Sequence, residues 1–321
     1  MKDNFLKILE ILKVNFNNFV SGEKIAKIIG ISRVGVYKII KKLVKMGYKI
    51  KSSKKLGYKI VEYPFLPQEL LKQNFDIPKQ IVFLKSTTST MDVAKKIIQQ
   101  NLDYDKLLVI AEKQTKGKGR LQRQWFSPKG GLWFSLVLSP NISPKEIFLL
   151  NFLISLSVAN VLHNNYLIHA NTKWPNDVVV GNKKICGVLV EADIEIDKVN
   201  WCIVGVGINV NINKEFFRKY KLQATSVSEL IGYDVDLTKF LIELFKEINL
   251  LYKSFAIKKY EDIIEQWKKL SSTIGRKVKI ITVNETIKGK AIDVSSQTGA
   301  LILKTSSGIK EILCGDCIHL R

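Results

Sequence analysis

The chain has 321 residues, 46% of them hydrophobic, which suggests two or three domains with sizeable cores. Its longest apolar stretch, 147–162, is interrupted by Asn151, Ser155, Ser157 and Asn160, and so falls short of the ~18–20 apolar residues of a membrane span. The net charge of +22 invites a nucleic-acid partner, but only six of the 51 basic residues are arginine, and such a lysine bias also follows from genome composition.

The distribution of charge says more. Residues 1–62 hold 15 basic and 4 acidic residues, a net of +11, so half of the excess sits in about a fifth of the chain. The first 14 residues carry Asp3 and Glu10 and no cleavage site of small residues. They read as an amphipathic helix rather than a signal peptide, which points to a soluble, cytoplasmic protein with no membrane partner. Phe5, Ile8, Leu9 and Leu12 recur at helical spacing. Ser21 opens a second helix, and Gly30 supplies a turn. Ser32 caps a third helix, whose buried stripe is Val36, Ile39, Ile40, Leu43 and Val44. Strand-like runs 48–52 and 57–61 follow, joined by a basic tip. Residues 1–63 therefore read as a winged helix-turn-helix. A helical interaction module with a solvated basic face shares the composition, but the order helix, glycine, helix, hairpin favours DNA. The third helix would enter the major groove through Ser32, Arg33, Tyr37, Lys38 and Lys41, with Lys51, Lys54 and Lys55 of the wing on phosphates.

Pro64 and Pro67 mark a linker. The segment 64–270 mixes strands at 81–84, 107–111, 132–138, 178–180, 185–191 and 201–210 with helices at 91–99, 144–162 and 237–255. The turn Gly181-Asn182-Lys183-Lys184 implies an antiparallel hairpin, hence an α+β fold rather than a doubly wound sheet. Residues 271–321 read as a small antiparallel barrel, with strands at 277–283, 287–294, 300–304 and 310–313. Cys186 and Cys202 lie in apolar runs and read as core residues. Cys314-Gly-Asp-Cys317 has redox or zinc spacing, but only His319 stands nearby as a further ligand, so no metal site is expected.

Three motifs carry chemistry. In 114–123, Gly117 and Gly119 alternate with Lys118, Arg120 and Arg123, a flexible cationic loop whose amides can approach a phosphate. It is not a Walker loop, because no Gly-Lys-Ser/Thr follows. Lys173-Trp-Pro-Asn-Asp177 puts a carboxylate after a rigid turn, and Lys184 lies across the hairpin from it. Gly205-Val-Gly207-Ile-Asn209 continues with strand alternation and opens no helix, so its glycines let a ligand or another backbone lie close.

Taken in order, Ser89-Thr90, Gln114, the Gly-Lys-Gly-Arg loop, Lys-Trp-Pro-Asn-Asp, the run from Lys184 to Glu191 and Gly-Val-Gly-Ile-Asn resemble the motifs of biotin–protein ligases, from about residue 80 to 212. With a winged helix in front and a small barrel behind, the chain is similar to the bifunctional kind that doubles as the biotin operon repressor. That resemblance implies a central mixed α/β ligase domain related to class II aminoacyl-tRNA synthetases and lipoate ligases, followed by an SH3-like barrel. It implies formation of biotinyl-5'-AMP from biotin and ATP with Mg2+, then transfer to a lysine of the biotin carboxyl carrier protein domain of acetyl-CoA carboxylase. Operator DNA and a homodimer built by the central domain belong to the same picture. Ser89, Thr90, Met91 and Gln114 would hold biotin. Lys118, Gly119 and Arg120 would fold over it and its adenylate, together with Gly117, Arg123 and Trp125. Lys184 would meet the carboxylate and then the acyl phosphate, and Asp177 would orient the adenylate or the incoming lysine. Lys184, Arg120 and Asp177 thus carry the chemistry. Gly187, Gly205, Gly207 and Asn209 would shape the pocket, the last two glycines admitting the biotin tail. Members of this family commonly have a basic residue and a glycine where Leu121 and Gln122 stand, an arginine at Lys118 and an asparagine at Met91. A transcription factor that only senses a ligand is opposed by the phosphate loop and Lys184. A lipoate ligase is opposed by the winged helix and the Gly-x-Gly-Arg loop.

Overall fold

The computed structural model describes residues 2–45, 47–62, 64–65, 67–100 and 103–320. Residues 1–66 and 67–321 form two compact units. In the first, α1 (Lys2–Val14), α2 (Gly22–Ile29) and α3 (Arg33–Lys45) precede the hairpin of β1 (Lys49–Ser53) and β2 (Gly57–Glu62). Ser21 Oγ caps α2 by accepting the Lys24 N–H at 3.0 Å, and Gly30 ends it in the left-handed region at φ +76°. Ile8 and Leu12, Ile25, Val36, Ile40 and Leu43, and Ile60 meet in one core. Val44, placed in the buried stripe by its spacing, is instead 49% exposed. It lies about 100° around the helix from Leu43, beyond the edge of the face that 36, 40 and 43 bury.

The second unit is built on a sheet ordered β3-β4-β7-β11-β10-β9-β8. Its strands and helices run β3 (Gln80–Leu84), α4 (Thr90–Gln99), β4 (Leu107–Ala111), β5 (Gln114–Lys118), β6 (Gln124–Ser127), β7 (Leu132–Leu138), α5 (Leu149–Tyr166), β8 (Asn171–Lys173), β9 (Asp177–Val180), β10 (Lys183–Glu195), β11 (Lys198–Ile208), α6 (Lys214–Lys219), α7 (Val227–Ile231), α8 (Leu237–Ala256) and α9 (Tyr260–Lys269). Only β3 and β4 pair in parallel; the other pairs of this sheet are antiparallel, as an α+β fold requires. Both faces are covered, which is why β4 and β7 are apolar runs buried at every position. On one face, Met91, Ala94 and Ile98 of α4 pack on Leu107, Val109, Val137 and Ile203. On the other, Phe134 meets Phe245 of α8 with ring centroids 5.7 Å apart. The segment 144–166 is apolar and long enough to pass for a membrane span by length and composition, contrary to the reading of its interrupted run, but 78% of its apolar 18-residue window is buried inside the protein. Its polar side chains turn inward to internal partners: Ser155 Oγ accepts the Trp267 indole N–H at 3.1 Å, and the Ser157 hydroxyl donates to the Leu153 carbonyl at 2.8 Å.

The C-terminal strands β12 (Lys277–Ile281), β13 (Thr286–Val294), β14 (Leu301–Thr305), β15 (Gly308–Ile312) and β16 (Asp316–His319) form a five-stranded antiparallel sheet in the order β15-β14-β13-β12-β16. They belong to the same compact unit as the large sheet. Strand β16 lies beyond 310–313, the last strand run expected from the sequence. It carries His319, whose Nε2 lies 3.1 Å from Thr273 Oγ1, and that oxygen also accepts the Trp174 N–H at 3.1 Å. Burial, then the charges of Lys173 and Arg276, push the His319 pKa down to about 4. The folded protein therefore holds this ring neutral where the unfolded chain, titrating near 6.5, takes up a proton. Its contribution to stability is full above pH 6.5 and is lost as pH falls toward 4. The unfolding temperature of the wild type should drop more steeply through that window than that of His319→Gln, and parallel curves would contradict the assignment.

Candidate functional site

A cavity of about 460 Å³ opens between α4, the β5–β6 hairpin, the neighbouring ends of β9, β10 and β11, and the start of β16. Every residue singled out in the sequence for the ligand site lines it except Gly117, which lies beneath, paired with Trp125 across β5 and β6. The cationic segment is not the open loop its composition suggested. It is a two-stranded hairpin closed by a short helical turn at Arg120–Gln122. A Cβ on Gly117 would come 2.4 Å from the Trp125 carbonyl, so glycine here allows tight strand pairing rather than flexibility. Leu121 and Gln122 both adopt left-handed backbone, at φ +51° and +57°. Such residues store strain of order 1–3 kcal/mol each.

At one end of the cavity, a chain of polar groups is tied together. Gln114 Oε1 accepts the Thr90 N–H at 2.8 Å and its hydroxyl at 3.1 Å, Thr90 Oγ1 lies 2.8 Å from Ser135 Oγ, and Gln114 Nε2 donates to Ser127 Oγ at 2.9 Å. Ser89, beside them, is 1% exposed, and among the described residues its hydroxyl has no hydrogen-bond partner. A buried, unpaired hydroxyl facing a cavity marks a place for a ligand's polar group. Along the wall, Lys184 Nζ lies 2.6 Å from Asp177 Oδ1 and 5.1 Å from the Trp125 ring centroid. Lys118 pairs with Asp92, and Arg123 with Asp316 of β16. Arg120 differs from these three: it donates to Asn176 Oδ1 at 3.2 Å and to the Gly315 carbonyl at 3.1 Å. The turn of 173–177 is itself fastened, because Asn176 donates its amide to the Val188 carbonyl and accepts the Val188 N–H on its own carbonyl at 2.9 Å.

The glycines of β10 and β11 serve differently from the expectation. A Cβ on Gly207 would come 2.3 Å from Trp125 Nε1, and one on Gly187 would come 2.9 Å from the same indole. One on Gly205 would meet Met91 Sδ at 2.7 Å. The hollow over these strands is thus occupied by two of the protein's own side chains. Asn209 does not point a free amide at the cavity; it donates to the Lys184 carbonyl at 3.4 Å and braces β10. The opposite end is apolar, formed by Phe126, Phe216, Phe217, Leu222 and Ala224. Phe126 and Phe216 pack around Tyr220, each ring centroid 4.7 Å from it. This end, with Asn176, Asp92 and Asp316, was missed in the sequence. A usable signal was present for part of it: Asn213 before Lys214-Glu215 caps α6, which carries Phe216 and Phe217.

In the first unit, Arg33, Tyr37, Lys38 and Lys41 of α3 and Lys51, Lys54 and Lys55 around the β1–β2 turn are exposed. Ser32 is exposed as well, but its oxygen accepts the Gly35 N–H at 3.1 Å and so caps α3.

Residues 5–59 match the HTH domain family, 83–209 the biotin/lipoate A/B protein ligase family, and 273–320 the biotin protein ligase C-terminal domain. The chain is 31% identical over 316 residues to the bifunctional ligase/repressor BirA of Bacillus subtilis (strain 168), with 96% of each covered. It is 28% identical over 329 residues to the protein of the same name from Escherichia coli (strain K12), covering 100% of this chain and 99% of that one. A solved biotin protein ligase from Aquifex aeolicus, in complex with biotin and ATP, is 34% identical with a TM-score of 0.63, over 76% of this chain and 99% of that one.

The fit between indole and glycine can be tested directly. Gly207→Ala should drive Trp125 out of its hollow, shifting tryptophan emission to longer wavelength with little change in the unfolding temperature. Trp125→Phe/Gly207→Ala should show no further change relative to Trp125→Phe. An unaltered Gly207→Ala spectrum would mean the indole does not rest there.

Proposed function

The chain belongs to the bifunctional ligase/repressor BirA family, and we propose that its central cavity activates biotin with ATP and passes it to a lysine of a biotin carboxyl carrier protein. The observation that carries this reading is the joining, in one cavity, of the unpaired Ser89 hydroxyl at one end, the cations Lys118, Arg120, Arg123 and Lys184 along the wall and an aromatic cluster at the other end. Biotin's ureido group fits the Ser89 end, the adenine the aromatic end, and the reacting carboxylate and phosphates the cations between. A carboxylate oxygen of biotin attacks the α-phosphorus, and pyrophosphate leaves. The acceptor's amine then attacks the acyl carbon, gives up a proton, and AMP leaves. No covalent enzyme intermediate is needed; the residues position two anions and stabilise charge growing on phosphate oxygens. Lys184 serves the carboxylate and then the acyl phosphate. Arg120, Lys118 and Arg123 serve the phosphates, and magnesium arrives as the counter-ion of ATP. Asp177, already beside Lys184, is suited to orient the incoming amine once Lys184 turns to the acyl phosphate.

Lys184→Ala should slow single-turnover adenylate formation by about 2–5 kcal/mol of barrier, the usual cost of truncating one partner of a desolvated charge pair. The assay supplies ATP, magnesium and labelled biotin or lipoate with an acceptor domain. Wild-type rates from the variant would remove Lys184 from the chemistry, and labelling with lipoate alone would replace the substrate.

We further propose that residues 1–63 bind an operator as part of a two-fold dimer formed by 64–270, with 271–321 completing the ligase site. One winged helix gains most of its affinity from phosphates, so specific binding requires two copies on an inverted repeat. The sheet offers a surface for pairing. Strand β10 runs to Glu195, but β9 covers it only as far as Gly187, which leaves 189–195 with β11 on one side and an open edge on the other. Such an edge is a template for a second strand. Ile194, 50% exposed on it, offers an apolar side chain. Ile194→Lys should hold the protein monomeric in sedimentation with biotin and ATP present, weaken operator binding at least tenfold at fixed salt, and leave adenylation unchanged. A dimer that persists would move the interface elsewhere.

A further inference from the structure

The helix assigned to the major groove displays an apolar side chain that sequence reading passed over. Val34 stands on the first turn of α3 and is 62% exposed. Helical spacing sets it in line with Tyr37, Lys38 and Lys41, three, four and seven residues on, all exposed. Lys41 Nζ lies 4.8 Å from the Tyr37 ring centroid, so the aromatic side chain belongs to the same cationic stripe, and Arg33 flanks it. The opposite face is committed, because Val36, Ile40 and Leu43 are buried in the core of the unit. The helix cannot turn to cover Val34 without exposing them. Ser32, its neighbour toward the N-terminus, has its oxygen engaged in capping. That leaves Val34 as the first side chain of the stripe free to face a partner.

A branched hydrocarbon at the head of a basic stripe gains nothing from water and cannot pair with a phosphate. The feature of the major-groove floor that it complements is the C5-methyl group of thymine. We propose that Val34 is a specificity-determining residue that packs on a thymine methyl in each half-site, while Arg33, Lys38 and Lys41 supply affinity around it. The inference rests on the DNA-binding reading of this unit. An acidic protein partner would use the cations but would have no thymine methyl to lose.

The test is a double-deletion cycle across the interface. Full-length protein with biotin and ATP selects its duplex from a randomised pool, and each thymine of the selected site is then replaced, one at a time, by deoxyuridine, which lacks only the C5-methyl group. At one symmetry-related pair of positions, the wild type should lose about three- to fivefold in affinity per half-site, the size of one buried methyl group. Val34→Ala should lose a similar amount on the thymine duplex and nothing more on the deoxyuridine duplex. Val34→Thr, which keeps one methyl group, should restore part of the discrimination. The thermal unfolding of each variant checks that an exposed position has been altered without loss of the core. Equal methyl dependence in wild type and Val34→Ala would overturn the role of Val34 and leave DNA binding standing. Failure of the wild type to enrich any sequence would overturn both.

Discussion

The contact on which the cavity depends is the one between Lys184 and Asp177, 2.6 Å apart across the β9–β10 hairpin. Either charge alone in a half-buried pocket would be costly; together they offset that cost and keep a cation in the cavity wall. The same arrangement recurs along the wall. Lys118 has Asp92 from α4, and Arg123 has Asp316 from the C-terminal sheet. Among these cations Arg120 alone is held by neutral carbonyl oxygens, those of Asn176 and Gly315. A carboxylate or phosphate entering here would therefore exchange for a resident carboxylate at Lys118, Arg123 and Lys184 and would add charge compensation at Arg120. The partners come from residues 92, 176, 177, 315 and 316, so the site is assembled from chain segments more than two hundred residues apart.

The second constraint is spatial. Gly187 and Gly207 pair directly across β10 and β11, and the missing Cβ atoms leave a hollow that the Trp125 indole enters. The indole also fastens the β5–β6 hairpin to the large sheet, since Trp125 lies in β6 and pairs with Gly117 of β5. One ring thus joins the cationic hairpin to the strand that carries Lys184, and the positions of Arg120 and Lys184 are not independent.

Legibility in the sequence followed the range of the forces involved. The hairpin at Gly181-Asn182 was plain because a two-residue turn with left-handed glycine is a local signal. The three helices and wing of the first unit were plain for the same reason. The β5–β6 hairpin was hidden, since glycines and cations depress strand propensity and the pairing there is maintained by Trp125 and Ser127. Helix α7 carries a capping signal, Ser226 three residues before Glu229, and the Ser226 oxygen does accept the Glu229 N–H at 3.2 Å, but a helix of five residues is too short for an apolar period to show. The part played by Asp316 and Gly315 could not be read, because nothing local joins a C-terminal turn to a hairpin near residue 120. That contact exists only once both sheets have formed.

Helix α5 has a consequence for the birth of the protein rather than its working life. Thirteen of its 18 residues are buried, so it has no face suited to water. The elements that cover it, β8 to β10, α8 and α9, all follow it in the chain. On the ribosome, residues 149–166 emerge before any of them, and at about 5–20 residues per second α8 starts to follow only after roughly 4–14 s. Until α8 and α9 follow, β8 to β10 can cover only part of an apolar helix long enough to resemble a membrane signal. Shielding of hydrophobic segments at the tunnel exit would therefore favour folding of this chain, and slow translation through 167–236 would lengthen the exposure.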